Sequence, residues 1–227
     1  MTQAVVLFGS PGSGKGTQAS LLKDCLKVPH ISTGDMLRAH VRNGNALGVR
    51  VADTLQSGFL VRDEVVNQLV EQRLADPDAQ SGFILDGYPR TRDQAEHLCG
   101  WFDGRGIREL VIHLIVDYNV IVTRLTGRRQ CPRCGTLYNI VSNPPRKEGV
   151  CDLDGTPLVV RNDDRESVIR QRLAAYESQS RPLIDFFREK GRRLFEIDAS
   201  DQTPEALLFQ VCRTIRAPEA GQPALSG

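Results

Sequence analysis

The run Gly9-Ser10-Pro11-Gly12-Ser13-Gly14-Lys15-Gly16-Thr17 lies between an apolar segment, Ala4-Val5-Val6-Leu7-Phe8, and a stretch with helical spacing of Ala19, Leu21, Leu22 and Leu26. Strand, glycine-rich loop and helix in that order predict an anion cradle. The glycines let the backbone curl so that its N–H groups point inward, and the helix N-terminus adds positive dipole. Lys15 supplies a mobile full charge for the distal phosphates. A merely flexible glycine turn leaves the joint placement of Gly9, Gly14, Lys15 and Thr17 without a reason. In the usual pattern Ser or Thr follows the lysine directly; here Gly16 intervenes before Thr17. The loop predicts a nucleotide-phosphate site without naming a reaction.

The same alternation continues along the chain. Strands are expected near residues 3–8, 28–31, 82–86, 110–116 and 193–197, with helices between them. A single helix is expected from Arg165 to Glu189, and a last one from Pro204 to Ile215. Continuous apolar runs such as Gly82-Phe83-Ile84-Leu85 and Leu110-Val111-Ile112 suit parallel strands buried on both faces. The expected fold is therefore α/β, a five-stranded parallel sheet covered on both sides, with its ligand crevice beyond the C-terminal strand ends. The phosphate loop, Ser32-Thr33 and Asp86-Gly87 all fall there. Residues 127–164 interrupt the alternation, and the tail 217–227 is expected to be disordered.

The 227 residues suffice for one substantial core with one or two inserted units. A net charge of +1 gives no global field for nucleic acid or membrane, so functional positive charge must be local. No apolar run approaches membrane-spanning length and no export signal precedes the first strand, so the cytoplasm or an equivalent reducing space is expected. Of six cysteines, Cys25, Cys99 and Cys212 read as small core residues. Cys131-Pro-Arg-Cys134-Gly and Cys151-Asp-Leu-Asp154-Gly instead resemble two halves of a metal clip.

Asp86 closes its strand as a metal-holding acid would, against the alternative of a plain turn acid. Arg38, Arg90, Arg128, Arg161 and Arg172 come from five segments near strand ends or the insert boundary. Guanidinium groups suit phosphate recognition, but their convergence does not follow from spacing. None of His30, His40, His97 and His113 sits in a motif, and all four read as structural or surface residues.

Taken together, Gly9-x-Pro11-Gly12-x-Gly14-Lys15-Gly16-Thr17, Ser32-Thr33-Gly34-Asp35-Met36-Leu37-Arg38 and Phe83-Ile-Leu-Asp86-Gly87-Tyr88-Pro89-Arg90 with Gln94 closely resemble the adenylate kinase family. Gly127-Arg128-Arg129 and Arg161-Asn-Asp163-Asp164 resemble the hinges of that family's lid. The match covers residues 4–216, and Gly16 becomes part of the pattern. The resemblance implies a P-loop core of 1–31, 63–126 and 165–216, a helical AMP-binding insert at 32–62 and a lid at 127–164. It implies reversible, Mg-dependent phosphoryl transfer between ATP and AMP giving two ADP. Gly12, Ser13, Gly14, Lys15, Gly16, Thr17, Arg128 and Tyr138 would hold ATP. Thr33, Arg38, Gly58, Val61, Gly87, Arg90, Gln94, Arg161 and Arg172 would hold AMP. Lys15, Asp86, Arg90, Arg128, Arg161 and Arg172 would serve the transfer itself, while Asp163 and Asp164 would serve lid closure. Phe59 stands where the family often has a polar residue.

The resemblance also explains the missing base. An AMP phosphate with a second pKa of about 6 is already largely dianionic at neutral pH. Alignment, charge neutralisation and exclusion of water by a lid then carry the reaction; the adenylate kinase lid is a standard instance of such a motion. The spacing Cys131-x2-Cys134-x16-Cys151-x2-Asp154 offers Zn²⁺ four protein ligands, a structural site. The alternative is a metal-free clip held by hydrogen bonds. The expected partners are ATP, AMP and ADP, with no nucleic acid and no membrane, and the chain is expected to act as a monomer. The sequence also admits two competing readings, a kinase preferring GMP, UMP or CMP, and a nucleic-acid-binding zinc-ribbon ATPase.

Overall fold

A computed structural model of the chain describes residues 3–217. Five parallel strands form the sheet, β1 (Gln3–Gly9), β2 (His30–Ser32), β3 (Gly82–Asp86), β4 (Arg108–Ile115) and β7 (Leu194–Asp198), in the order β2-β3-β1-β4-β7. The remaining two, β5 (Arg128–Gln130) and β6 (Leu137–Asn139), pair antiparallel in a separate small sheet. The helices are α1 (Lys15–Leu26), α2 (Thr33–Arg42), α3 (Ala46–Gln56), α4 (Asp63–Leu74), α5 (Arg92–Asp103), α6 (Tyr118–Thr126), α7 (Glu166–Ala175), α8 (Leu183–Glu189) and α9 (Pro204–Arg216). The expected disordered tail falls, but for Ala217, outside the described residues.

Alternation along the central strands explains the two cores. Ala4, Val6 and Phe8 face one side of β1 and join Phe83, Leu85 and Val111 against α4, α5 and α8. Val5 and Leu7 face the other side and join Ile84, Leu110, Ile112 and Leu114 against α1 and α9. An apolar run without polar interruption is what burial on both faces requires. Within β4, His113 interrupts the apolar run that begins at Leu110. Its ring packs on Phe8, and its two nitrogens meet Glu196 at 3.1 Å and Tyr176 Oη at 3.0 Å, so the buried imidazole is satisfied.

The single helix expected at 165–189 is in fact broken. α7 loosens into a π turn over Tyr176–Ser180, and α8 resumes after Pro182. Pro182 has no N–H to donate and its ring opposes a regular helix through this point. The break turns Ser180 inward, where its hydroxyl donates to the Arg90 carbonyl at 2.8 Å.

Gly48 in the first turn of α3 marks a close helix crossing. A Cβ there would lie 2.0 Å from the His40 carbonyl oxygen. Helix propensity alone favours Ala over Gly by about 1 kcal/mol, yet the clash is with backbone that cannot step aside. Gly48→Ala is expected to cost about 3 kcal/mol, read as a fall in thermal midpoint of roughly 6–12 °C. An unchanged or raised midpoint contradicts this helix packing.

Candidate active site

The loop after β1 is shaped by glycine. Gly12 and Gly14 have φ of 82° and 94°, and a Cβ on Gly12 would meet Leu125 Cγ at 3.0 Å. Gly14 caps α1, whose first internal bond runs from Gln18 N–H to Gly14 O at 2.9 Å. The amides of Lys15, Gly16 and Thr17 therefore belong to a helix start, where they have no partner within the helix. Lys15 Nζ is folded over the loop, donating to the carbonyls of Gly9 and Ser10 at 2.7 Å each. Burial above all, with Asp86 opposing it and Arg90, Arg172 and Arg128 adding to it, brings this ammonium down to about 7.

A cleft of about 280 Å³ opens over this loop, lined by Gly12, Ser13, Gly14, Lys15, Gly16 and Thr17 together with Asp86, Tyr138 and all five singled-out arginines, Arg38, Arg90, Arg128, Arg161 and Arg172. A smaller pocket of about 50 Å³ continues from it, lined by Thr33, Val61, Gln94 and the exposed Phe59. Arg38, Gly58, Gly87, Arg90 and Arg172 line both.

Carboxylates hold the arginines in place. Asp164 is fully buried and accepts from Arg128 Nε at 2.7 Å and Arg172 Nη1 at 3.0 Å. Asp163 takes Arg161 in a fork at 2.8 and 2.9 Å and lies 3.1 Å from Arg172. Burial pushes the Asp163 carboxyl up, but Arg172 and Arg161 hold it well below the usual carboxylate range. Burial lowers Arg172 to about 9, against the pull of Asp163. Such partly desolvated cations interact strongly with anions because little water screens them.

Asp86 ends β3 opposite Ser32, and its carboxylate meets His30 Nε2 at 3.3 Å. Burial raises this carboxyl, yet the His30 contact and the Lys15 charge leave it below the ordinary value. His30 therefore touches the site although no motif contains it. The signal available was its place two residues before Ser32-Thr33 on a strand paired with β3.

The smaller pocket holds one polar side chain in a fixed orientation. Gln94 Oε1 accepts from Arg90 N–H at 2.8 Å, and Gln94 Nε2 donates to Asp63 Oδ1 at 2.7 Å. Asp63 is held in turn by the Thr91 hydroxyl at 2.6 Å. An ionised carboxylate only accepts, so the amide has one orientation. Gly87, with φ of 78°, leaves room for Arg90, since a Cβ there would lie 2.9 Å from Arg90 Nη2.

Cys131, Cys134, Cys151 and Asp154 gather beside the small sheet, their ligand atoms all within 4.8 Å of one another. The two halves are built alike. Cys131 N–H bonds Thr136 O and Gly135 N–H bonds Cys131 O; Cys151, Thr156 and Gly155 repeat both bonds at the same 2.9 and 3.0 Å. The Cys134 and Cys151 sulfurs are 3.6 Å apart and Cys131 lies 3.4 Å from an Asp154 oxygen. Tetrahedral Zn–S bonds of about 2.3 Å would space sulfurs by about 3.7 Å. The donor set and its spacing fit zinc.

Sheet order, glycine loop and converging guanidinium groups define a P-loop protein made to hold nucleotide phosphates. Residues 7–192 match the family described as Adenylate kinase. A protein of Oceanobacillus iheyensis named adenylate kinase is 47% identical over 82% of this chain and 87% of its own length. One of Moorella thermoacetica is 45% identical over 90% and 94%, and one of Anaeromyxobacter dehalogenans 44% over 90% and 95%, both with the same name. The chain belongs to the adenylate kinase family. It is a phosphotransferase, a nucleoside monophosphate kinase. Among the described residues no helix is long and apolar enough to cross a membrane.

Proposed function

We propose that the chain transfers the γ-phosphoryl group of Mg-bound ATP to AMP, reversibly, giving two ADP, and that residues 32–62 form the AMP-binding insert and 127–164 a zinc-clipped lid on a core of 1–31, 63–126 and 165–216. The observation that carries this reading is the pair of joined pockets, one over the phosphate loop and one at Gln94, meeting at Arg90 and Arg172. The loop amides and Lys15 take the ATP phosphates, with Arg128 and Tyr138 above them. Thr33, Arg38, Gly58, Val61, Gly87, Gln94 and Arg161 take AMP. Arg90 and Arg172 face the group in transit, where fixed positive charge stabilises the charge spread over its oxygens. No protein base is required, because the acceptor phosphate is already ionised.

Asp86 would hold magnesium, directly or through water, and the ion bound with ATP would supply charge neutralisation of the phosphates. Cys131, Cys134, Cys151 and Asp154 would fill all four positions on zinc, a structural role that stiffens the lid.

Adenine preference follows from the fixed Gln94 amide. With Asp63 and Arg90 N–H occupying one side, it retains one N–H to donate and one lone pair to accept. Adenine offers an acceptor ring nitrogen beside an amino donor; guanine presents the reverse. A coupled assay across AMP, GMP, UMP and CMP tests the reading, with fastest turnover expected for AMP. Faster turnover of another monophosphate overturns it. Asp63→Ala, which frees the amide, is expected to raise KM for AMP about tenfold with kcat within about twofold. An unchanged KM contradicts the orienting role.

Lys15 gives a pH signature. Its folded value of about 7 lies below the ordinary 10.5, so between these values the folded chain binds fewer protons than the unfolded one. Phosphates restore the charged form. At pH 8, ATP binding is expected to take up to about 0.9 of a proton, and far less at pH 6, where Lys15 is already charged. Calorimetry in buffers of different ionisation enthalpy measures this; equal uptake at both pH values contradicts it.

A further inference from the structure

Cys25 and Cys212 are 187 residues apart in sequence, yet their sulfurs lie 3.5 Å apart. Neither is the small core residue that its apolar surroundings suggest, for Cys25 is exposed and Cys212 half-buried. Their approach is fixed by two helices running side by side in the same direction. Near its start α1 meets α9 through Gln18 Nε2, which donates to Pro204 O at 2.9 Å. Seven residues further along α1 and eight along α9, the thiols meet. Leu22, Leu207 and Val211 fill the seam between these points. The helices cannot drift apart without opening this core, so the sulfurs stay together. The other thiols are placed differently: Cys99 is buried, and Cys131, Cys134 and Cys151 belong to the clip.

We propose that Cys25 and Cys212 form a dithiol–disulfide modification site, oxidised by a low-molecular-weight disulfide. The Cys25 thiolate, the accessible one, attacks a sulfur of the small disulfide, whose S–S bond breaks and releases one small thiolate. The Cys212 sulfur then loses its proton and attacks the Cys25 sulfur of the mixed disulfide, expelling the second small thiol. Two protein thiols are oxidised and one small disulfide is reduced to two thiols. Burial and the neighbouring Cys25 thiol push Cys212 up to about 11, which keeps its thiolate fraction small, and the 3.5 Å approach of the two sulfurs offsets this by making the second step intramolecular. Closing from 3.5 Å to a bond needs about 1.5 Å of sulfur movement, within reach of side-chain rotation. The bond ties α1 to the last helix and restricts the unfolded chain over most of its length. The cleft lies at the opposite ends of these helices, at Lys15 and Pro204, so the tie acts on stability and leaves turnover within about twofold.

The test uses the full chain, metal-loaded and fully reduced, exposed to oxidised glutathione without oxygen. The intact mass is expected to fall by about 2 Da, with a cross-linked peptide joining Cys25 to Cys212. The thermal midpoint should rise by about 5 °C or more and return on reduction with dithiothreitol. Cys212→Ser should stop with one glutathione on Cys25, and Cys25→Ser should give neither cross-link nor shift. Glutathione left on wild-type Cys25 without a cross-link, oxidation confined to Cys131, Cys134 and Cys151, no reaction, or a cross-linked chain with an unmoved midpoint would each overturn the proposal.

Discussion

Arg172→Met is expected to lower kcat by about a thousandfold or more, equivalent to about 4 kcal/mol of transition-state stabilisation. Arg172 lines both pockets and is held from behind, with Nη1 donating to Asp163 O at 2.9 Å and Asp164 Oδ1 at 3.0 Å. A cation locked in this way needs little reorganisation when charge develops on the group in transit. The fold should survive, because Asp164 keeps Arg128 and Asp163 keeps Arg161. Nucleotide KM values should rise by less than about tenfold, since several other donors still grip the ground-state phosphates. Arg172→Lys should recover only part of the rate, because an ammonium cannot reproduce the planar fork. Steady-state kinetics with a thermal melt on each variant measures both effects. A kcat loss below tenfold in a well-folded Arg172→Met variant removes Arg172 from its proposed role.

Metal removal should produce a large change in stability. The clip joins two loops of a unit with little core of its own, with Cys131, Cys151, Tyr138 and Leu158 as its apolar centre. Binding free energy at such a site is folding free energy. Stripping the proposed zinc with a strong chelator, with removal confirmed by metal analysis, is expected to lower the thermal midpoint by about 10 °C. Asp154→Ala, which deletes the only oxygen ligand, should give a chain that loses metal readily and melts like the stripped protein. Equal melting before and after proven removal would show that hydrogen bonds alone hold the clip.

The parts of this molecule legible in the sequence are those written in short-range pattern. Uninterrupted apolar runs mark strands buried on both faces, as the two-sided packing of Val5, Val6, Ile84 and Leu85 illustrates. The repeated knuckle of Cys131–Thr136 and Cys151–Thr156 is visible as spacing because each half is a local turn. The meeting of Arg38, Arg90, Arg128, Arg161 and Arg172 at one cleft is not, because each lies on a different segment and only the crossovers bring them together. The same reason hides the Asp63–Gln94 contact and the Cys25–Cys212 pair. His30 reads in the sequence as a structural or surface residue because, on an edge strand, it reaches the site only through Asp86, two positions beyond its own register partner. The break at Pro182 was readable: a proline inside a helical pattern is a stop or kink by its own chemistry, whatever the apolar spacing around it.

Direct transfer between two nucleotides held at once is tested most directly by product stoichiometry. Phosphorus NMR of the chain with Mg²⁺, ATP and AMP is expected to show two ADP formed for each ATP consumed, without inorganic phosphate, and no consumption of ATP when AMP is omitted. One ADP per ATP with matching release of inorganic phosphate, with or without AMP, would contradict it.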